Sequence, residues 1–297
     1  MYKNVNLSSL GVSGRQSELI ELTLTYGFRG LDVDAPELLR RASLQGVEEA
    51  TKYIRSGKVK IGGWMLPVNL AADDPTFDQE LEKFASLAQT AAEVGFTYCT
   101  AVIDPASDDL PFHENFERHR GRLARVADVL QRHEIRLAVG FQAAAKHREG
   151  RAYPFIHQAE EILTLVKSIV SDNVGLALDT WDWKVGGGGN DQLDELTGQQ
   201  IVTVGIADVP LDADLAAVDQ TQRMLPTDET IPEYGALLTR LAERGYEGPV
   251  TLYPHSSHFA KLTRDASVDK CSDVLNRIWT AAGLNKAGKL VSASAES

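Results

Sequence analysis

The sequence predicts an α/β protein, a single (β/α)8 barrel, and three observations carry that expectation. Short apolar runs of β type alternate with longer segments of helical period from one end of the chain to the other. Eight such βα units fit into about 283 residues, the length and rhythm of one barrel. The same helix-to-strand joint recurs three times, and no linker divides the chain into two domains. With 297 residues, 43% of them hydrophobic, the chain is long enough to bury the core such a barrel needs.

Taken in order, strands are expected at 4–7, 30–33, 59–64, 98–103, 136–141, 174–178, 201–206 and 249–253. Each is apolar enough to be buried on both faces, as parallel strands covered by helices must be. Leu19, Leu22 and Tyr26 recur at helical spacing after a capping box, Ser13-x-x-Gln16. Further stripes run through Ile162, Leu165, Val166, Ile169 and Val170, through Ile231, Tyr234, Leu238 and Leu241, and through Val268, Cys271, Leu275 and Ile278. Spacing of this kind buries one helix face against a sheet. The recurring joint is Gly27-Phe28, Gly95-Phe96 and Gly245-Tyr246, ahead of the second, fourth and eighth strands. Glycine ends a helix in the left-handed conformation, and the following aromatic folds back on the last turn. The barrel is assigned to residues 1–285, and the polar, Ala/Ser-rich segment 286–297 reads as a flexible tail.

Composition narrows the function classes. Net charge is −12, so the average surface repels phosphate backbones and nucleic acid is not an expected partner. The first residues lack the apolar run of a signal peptide, and no stretch of 18 apolar residues exists to span a membrane. Cys99 and Cys271 fall in a strand and a helix, the usage of a reduced protein with small core cysteines. A soluble cytoplasmic protein, with homo-oligomer formation left open, is the plain expectation.

The last third carries the chemistry: NVGLALDTWDW from Asn173, IVTVGIADVP from Ile201, and RMLPTDETIPEYGALLTRLAERGYEGPVTLYP from Arg223. This run resembles the xylose-isomerase-like TIM barrels, the sugar phosphate isomerase/epimerase superfamily that also includes apurinic endonucleases. The resemblance covers roughly residues 1–283 and is clearest from 135 onward. In that family strand six ends Asp-Thr-Trp-His, strand seven His-x-Asn-Asp, and strand eight Gly-Tyr-Asp-Gly-Pro-Val-x-x-Glu. Here the first Asp is Asp179, while the other positions read Asp182, Gly205 and Tyr253. The resemblance implies a fifth-strand Glu at Gly140 or Gln142 and a Mn, Mg or Zn ion held by four ligands. One of the four remains, so no metal and no other cofactor is expected.

In such a barrel the active site lies at the C-terminal ends of the strands. Asp179 and Asp182 are therefore the candidate catalytic carboxylates, either serving as base. Arg223 stands where the resemblance implies a cation on substrate oxygens; the alternative is a surface pair with Asp219 or Asp228. Tyr253 and Gln142 are candidate substrate-binding residues, and Trp64, Trp181 and Trp183 either stack on a sugar or fill core. His255 is a further candidate contact. With Asp179 and Asp182 it offers donor types for a replacement metal site, to which Asp32 and Asp34 add carboxylates; alternatively His255 and His258 are loop histidines. His119 and His133 lie in a charged helical segment and are expected to be solvated. The run Gly186 to Gly189 reads as a mobile loop, with no nucleotide-binding pattern around it.

Two function classes follow, with a small-molecule carbohydrate as the expected partner. The first is a sugar-handling enzyme of isomerase/epimerase type, acting without the usual metal. The second is a catalytically silent barrel that binds a ligand or supports a partner subunit. A phosphodiesterase like the apurinic endonucleases would need metal-bound His and Glu residues that this chain lacks.

Overall fold

The computed structural model describes residues 1–291. Its parallel strands are β1 (Tyr2–Val5), β2 (Gly30–Leu31), β3 in two pieces (Lys60–Ile61 and Trp64–Met65), β4 (Tyr98–Ile103), β5 (Arg136–Phe141), β6 (Val174–Asp179), β7 (Ile201–Ile206) and β8 (Pro249–Leu252). The sheet runs from the first piece of β3 through β2, β1, β8, β7, β6, β5 and β4 to the second piece of β3. Both sheet edges therefore belong to one extended segment, and the barrel closes there. The helices α1 (Gln16–Thr25), α2 (Ala35–Gln45), α3 (Val47–Gly57), α4 (Asp74–Val94) and α5 (Phe112–Gln131) follow the first four strands. The second half adds α6 (Ala159–Ser168), α7 (Thr180–Val185), α8 (Asn190–Asp194), α9 (Ile231–Glu243) and α10 (Arg264–Ala281).

The expected strands are all present, but the first two end early and the third is broken in the middle; for β1 and β3 side-chain contacts explain why. After Val5, Asn6 Oδ1 accepts from Ser9 N at 2.9 Å and from Ser8 Oγ at 2.7 Å. Local side-chain bonds of this kind draw the backbone out of the ladder. In β3 the break falls at Gly62-Gly63. A Cβ on Gly62 would lie 1.9 Å from Asp32 Oδ1, and one on Gly63 1.9 Å from Tyr98 Cε2. These two glycines let a carboxylate and a phenol pack against the bare backbone inside the barrel.

The three joints form as expected. Gly27, Gly95 and Gly245 have φ of 75°, 112° and 81°. The N–H of the aromatic that follows donates back to Thr23 O, Ala91 O and Leu241 O at 2.9–3.0 Å. All three rings are buried, so each joint fixes where the next strand enters the sheet. Cys99 and Cys271 are buried and unpaired.

Four expectations are corrected. The cap of α1 is Arg15, whose N–H reaches Glu18 at 3.4 Å, rather than Ser13. The helix carrying Ile162 and Leu165 ends at Ser168, so Val170 leaves the stripe and is 100% exposed. His119 is not solvated: it is 4% exposed, its Nδ1 lies 2.9 Å from Asn115 O, and its ring packs on Phe155. Burial pushes its pKa down to about 4. The segment after residue 285 is not loose as far as Val291. Val291 N donates to Gly283 O, and the Met1 amino group donates to Gly288 O at 3.1 Å. Residues 292–297 of the expected tail lie outside the described residues. Among those described, no helix is long and apolar enough to cross a membrane.

Gly63→Ala should destabilise the protein by about 1–3 kcal/mol or more, because neither the Tyr98 ring nor the backbone has room to yield. Gly121→Ala, on the exposed face of α5 with nothing within 4 Å of its Cβ, should stabilise it by about 0.5–1 kcal/mol. Urea unfolding of the two variants checks the pair; equal effects would contradict the packing described.

Candidate active site

The C-terminal ends of the strands open into a cavity of about 790 Å³. Asp179 ends β6 and caps α7: its Oδ1 accepts from Trp181 N at 3.0 Å and Asp182 N at 3.1 Å. Aspartate is a preferred N-cap because it satisfies the first free N–H groups of a helix. The turn that follows places Asp182 behind Asp179, with Oδ1 accepting from Ala143 N at 2.9 Å.

Between these carboxylates lies Arg223, carried by the segment joining β7 to α9. Its Nη2 donates to Asp179 Oδ2, and its Nη1 to Asp182 Oδ2 at 3.2 Å and Gln220 Oε1 at 3.3 Å. Nε donates to the Tyr253 carbonyl at 3.1 Å. A guanidinium has five N–H groups, so these contacts leave one, on Nη2, for a ligand. The guanidinium also lies over the Trp181 ring, 5.2 Å from its centroid. Burial alone would lower the Arg223 pKa, but Asp179 and Asp182 more than offset it and the net direction is up. Burial, and then the neighbouring charge of Asp179, push Asp182 up to about 7 against the pull of Arg223. The surface pairing considered for Arg223 does not form, since Asp228 pairs with Arg277 and Asp219 with Lys146.

On the opposite wall Tyr253, just past β8, sends its hydroxyl to Asp32 at 2.8 Å. Asp32 also accepts from Asn4 Nδ2 at 2.7 Å and Asn6 Nδ2 at 3.1 Å. Asp32 is half-buried and borders the cavity, and burial raises its pKa although all three donors pull the other way. The Tyr253 ring lies against Gly205, where an added Cβ would come within 2.8 Å of ring atom Cδ2 and 3.2 Å of Asp179 Oδ2. A histidine at 205, as the resemblance implies, has no room beside this tyrosine. The two departures are one change.

Asp179, Asp182, Arg223 and Tyr253 thus meet in one network, and Gln142 and His255 border the same cavity. His255 Nδ1 turns to Ser257 Oγ at 2.8 Å, and its backbone N–H donates to Arg223 O. The replacement metal site of Asp179, Asp182 and His255 does not assemble, because the guanidinium occupies the space between the carboxylates. Among the described residues no group of three or more His, Cys, Asp or Glu is placed to hold a metal ion. Asp34 is spent on capping α2, accepting from Glu37 N at 3.0 Å. Trp64 borders the cavity, but its ring is 4% exposed and packs against Phe84 and Phe96 in the helix–sheet core. It is core, not a stacking face. Trp181 and Trp183 are buried as well, and the glycine run wraps Trp183, whose Nε1 donates to Gly189 O.

The fold and site define a class. A family model described as a xylose isomerase-like TIM barrel matches residues 20–276, and the chain belongs to that family. An inosose isomerase from Bacillus velezensis is 21% identical over 270 residues, covering 87% of this chain and 90% of that protein. A xylose isomerase domain protein from Alicyclobacillus acidocaldarius superposes with a TM-score of 0.83 at 23% identity, over 95% of this chain and 99% of that one. A D-psicose 3-epimerase from Clostridium cellulolyticum H10 gives 0.70 at 15% identity, over 95% and 99%. At these identities the structural likenesses establish the fold.

The raised Asp182 value makes a signed prediction. A carboxyl whose folded pKa lies above its unfolded one holds its proton more tightly when folded. Its stabilisation is full below the ordinary carboxylate range and is lost as pH rises through about 7. Asp182→Asn has no such group, so its stability relative to wild type should rise between about pH 4 and 7, by on the order of a few kcal/mol. Urea titrations at several pH values measure the difference; a flat or falling one would contradict the assignment.

Proposed function

We propose that the mouth cavity binds a sugar or keto-sugar and moves a proton between its carbons, in an isomerase- or epimerase-type reaction without a divalent metal. The observation that carries this reading is the guanidinium held between two carboxylates at the centre of the mouth. The residues at the implied ligand positions do not fit a divalent ion. Gly140 and Gln142 carry no charge, both oxygens of Asp179 are engaged, and the Tyr253 ring fills the space at Gly205. Family membership and the name of the Bacillus relative, an inosose isomerase, support a polyhydroxylated ketone as substrate.

We assign Asp182 as the base because it borders the cavity beside Arg223, and a carboxyl raised towards neutrality is partly ionised there and strong enough to accept a proton. Its carboxylate takes the proton from the carbon beside the carbonyl, and the C–H electron pair moves into the C=C bond while the carbonyl π pair moves to its oxygen, giving an enediolate. Asp182 then returns the proton to the neighbouring carbon. The remaining Arg223 N–H donates to a ligand oxygen, and the fixed cation favours the charge that builds there. Asp179 positions Arg223. The cytoplasm is part of the same reading, and the two unpaired cysteines suit a reducing compartment.

Incubation with an inosose, D-fructose, D-tagatose and D-psicose in D2O with EDTA tests this by NMR. Wild type should exchange the proton beside the carbonyl of at least one, and Asp182→Asn should slow that exchange by about 100-fold or more. Binding without exchange would instead establish a silent, ligand-binding barrel, and exchange only on adding metal would overturn the metal-free reading.

A further inference from the structure

Moving a carbonyl between neighbouring carbons needs a proton transferred at oxygen as well as at carbon, and Asp182 accounts only for the second. Four strands away in either direction, just after β2 where Asp182 follows β6, the barrel holds another carboxyl in quite different surroundings. Asp32 meets amides and a phenol, from Asn4 within β1, Asn6 just after it and Tyr253 after β8. The other titratable groups that feel its charge are Tyr2 and Tyr98. Among the described residues no cation pairs with it, whereas Asp179 and Asp182 share Arg223. The chain keeps space for this pair at two points, Gly62 beneath Asp32 and Gly205 beneath the Tyr253 ring.

We propose that Asp32 and Tyr253 form a proton relay to the ligand oxygen, with Asp32 as the reservoir and the Tyr253 hydroxyl as the group that touches the ligand. The relay rests on the isomerase-type reading above. As Asp182 removes the carbon-bound proton, the Tyr253 O–H bond breaks and its proton goes to the carbonyl oxygen. With a ligand in place the direction of the 2.8 Å contact reverses: the Tyr253 hydroxyl turns from Asp32 to the ligand oxygen, and Asp32 in its protonated form donates to the phenol and refills it. The ligand becomes a neutral enediol, Asp182 is protonated and Asp32 is ionised. The second half runs in reverse: the proton of the neighbouring hydroxyl returns through Tyr253 to Asp32, and Asp182 returns its proton to carbon. No oxidant, reductant or extra reactant is needed. Burial and the adjacent Asp32 hold the Tyr253 pKa far above its ordinary value, so the phenol is a donor at neutral pH and not a lasting phenolate. The lack of a cation and the depth of the site likewise favour a protonated Asp32.

The variants are Tyr253→Phe, which keeps the ring that packs on Gly205, Asp32→Asn, and the two combined. With whichever of the four probe ketones wild type exchanges, each single variant should slow conversion to the isomeric product by about 100-fold. The double variant should be no slower than the slower single one, because residues acting as one unit are not additive. Tyr253→Phe should keep the wild-type melting temperature within a few degrees. Exchange in wild type with undiminished product formation in Tyr253→Phe, or effects that multiply in the double variant, would overturn the relay while leaving the reading of the site intact. No exchange in wild type with any probe would overturn both. A readout without substrate is 13C NMR of the aspartate carboxyl carbons, Asp32 being assigned by its loss in Asp32→Asn. Its titration should lie above the ordinary carboxylate range; an Asp32 fully ionised at pH 5 would have no proton to give and would overturn the proposal.

Discussion

The guanidinium of Arg223 is the contact on which the mouth of this barrel depends. Burying such a cation costs several kcal/mol unless partners replace its water. Here Asp179 on β6, Asp182 on α7, Gln220 on the loop before α9 and the backbone carbonyl of Tyr253 after β8 do so together. The same segment is tied to β7 by the paired backbone bonds of Asp208 and Met224, and to β8 by His255 N–H on Arg223 O. The side chain thus ties the ends of β6 and β8 together, and the backbone of its segment adds the end of β7. Without it, the buried Asp182 and the half-buried Asp179 would face each other with no compensating charge, and uptake of a proton by one would be favoured.

The second constraint is steric, and it couples positions far apart in sequence. Tyr253 is tolerated because residue 205 has no side chain, and its hydroxyl reaches Asp32 because Asn4 and Asn6 hold that carboxylate from the other side. Tyr253 joins both halves of the site, its carbonyl serving Arg223 and its hydroxyl Asp32. Exchange of a glutamate and a histidine for a tyrosine and a glycine therefore reads as one replacement. In the proposed reading a hydrogen-bonded arrangement with a fixed organic cation stands where the resemblance implies a metal-centred one.

Much of this was legible in the sequence, for physical reasons that differ by feature. The Gly-aromatic joints are local, since the left-handed glycine and the fold-back of the next N–H involve residues within one turn. The longer strands, from Tyr98 onward, bury both faces and show it as unbroken apolar runs. Asp179 and Asp182 stood out as polar residues at a strand end, and Arg223 stood out because the resemblance implies a cation there. The remainder depends on tertiary contacts that no local pattern reports. The partner of Tyr253 is 221 positions away. The early end of β1 and the break in β3 follow from Asn6 and from the carboxylate packed against Gly62. His119 lies in a charged stretch yet faces Phe155. Trp64 follows two glycines at a strand end, which suggests a pocket, but the second piece of β3 turns its ring outward towards Phe84 and Phe96. The alternation of Asn4 and Asn6 places both on the inward face of β1, and it was the available signal for the Asp32 wall.

The central claim is that Arg223 supplies the cation that a divalent ion supplies elsewhere in the family. Elemental analysis of purified protein, with thermal unfolding before and after chelation, tests it most directly. A tightly bound ion stabilises the native state by mass action, so its removal lowers the melting temperature. The account predicts well under one Mg, Mn or Zn per chain and a melting temperature unmoved by EDTA. About one tightly held ion per chain, with a fall of several degrees on chelation, would contradict it.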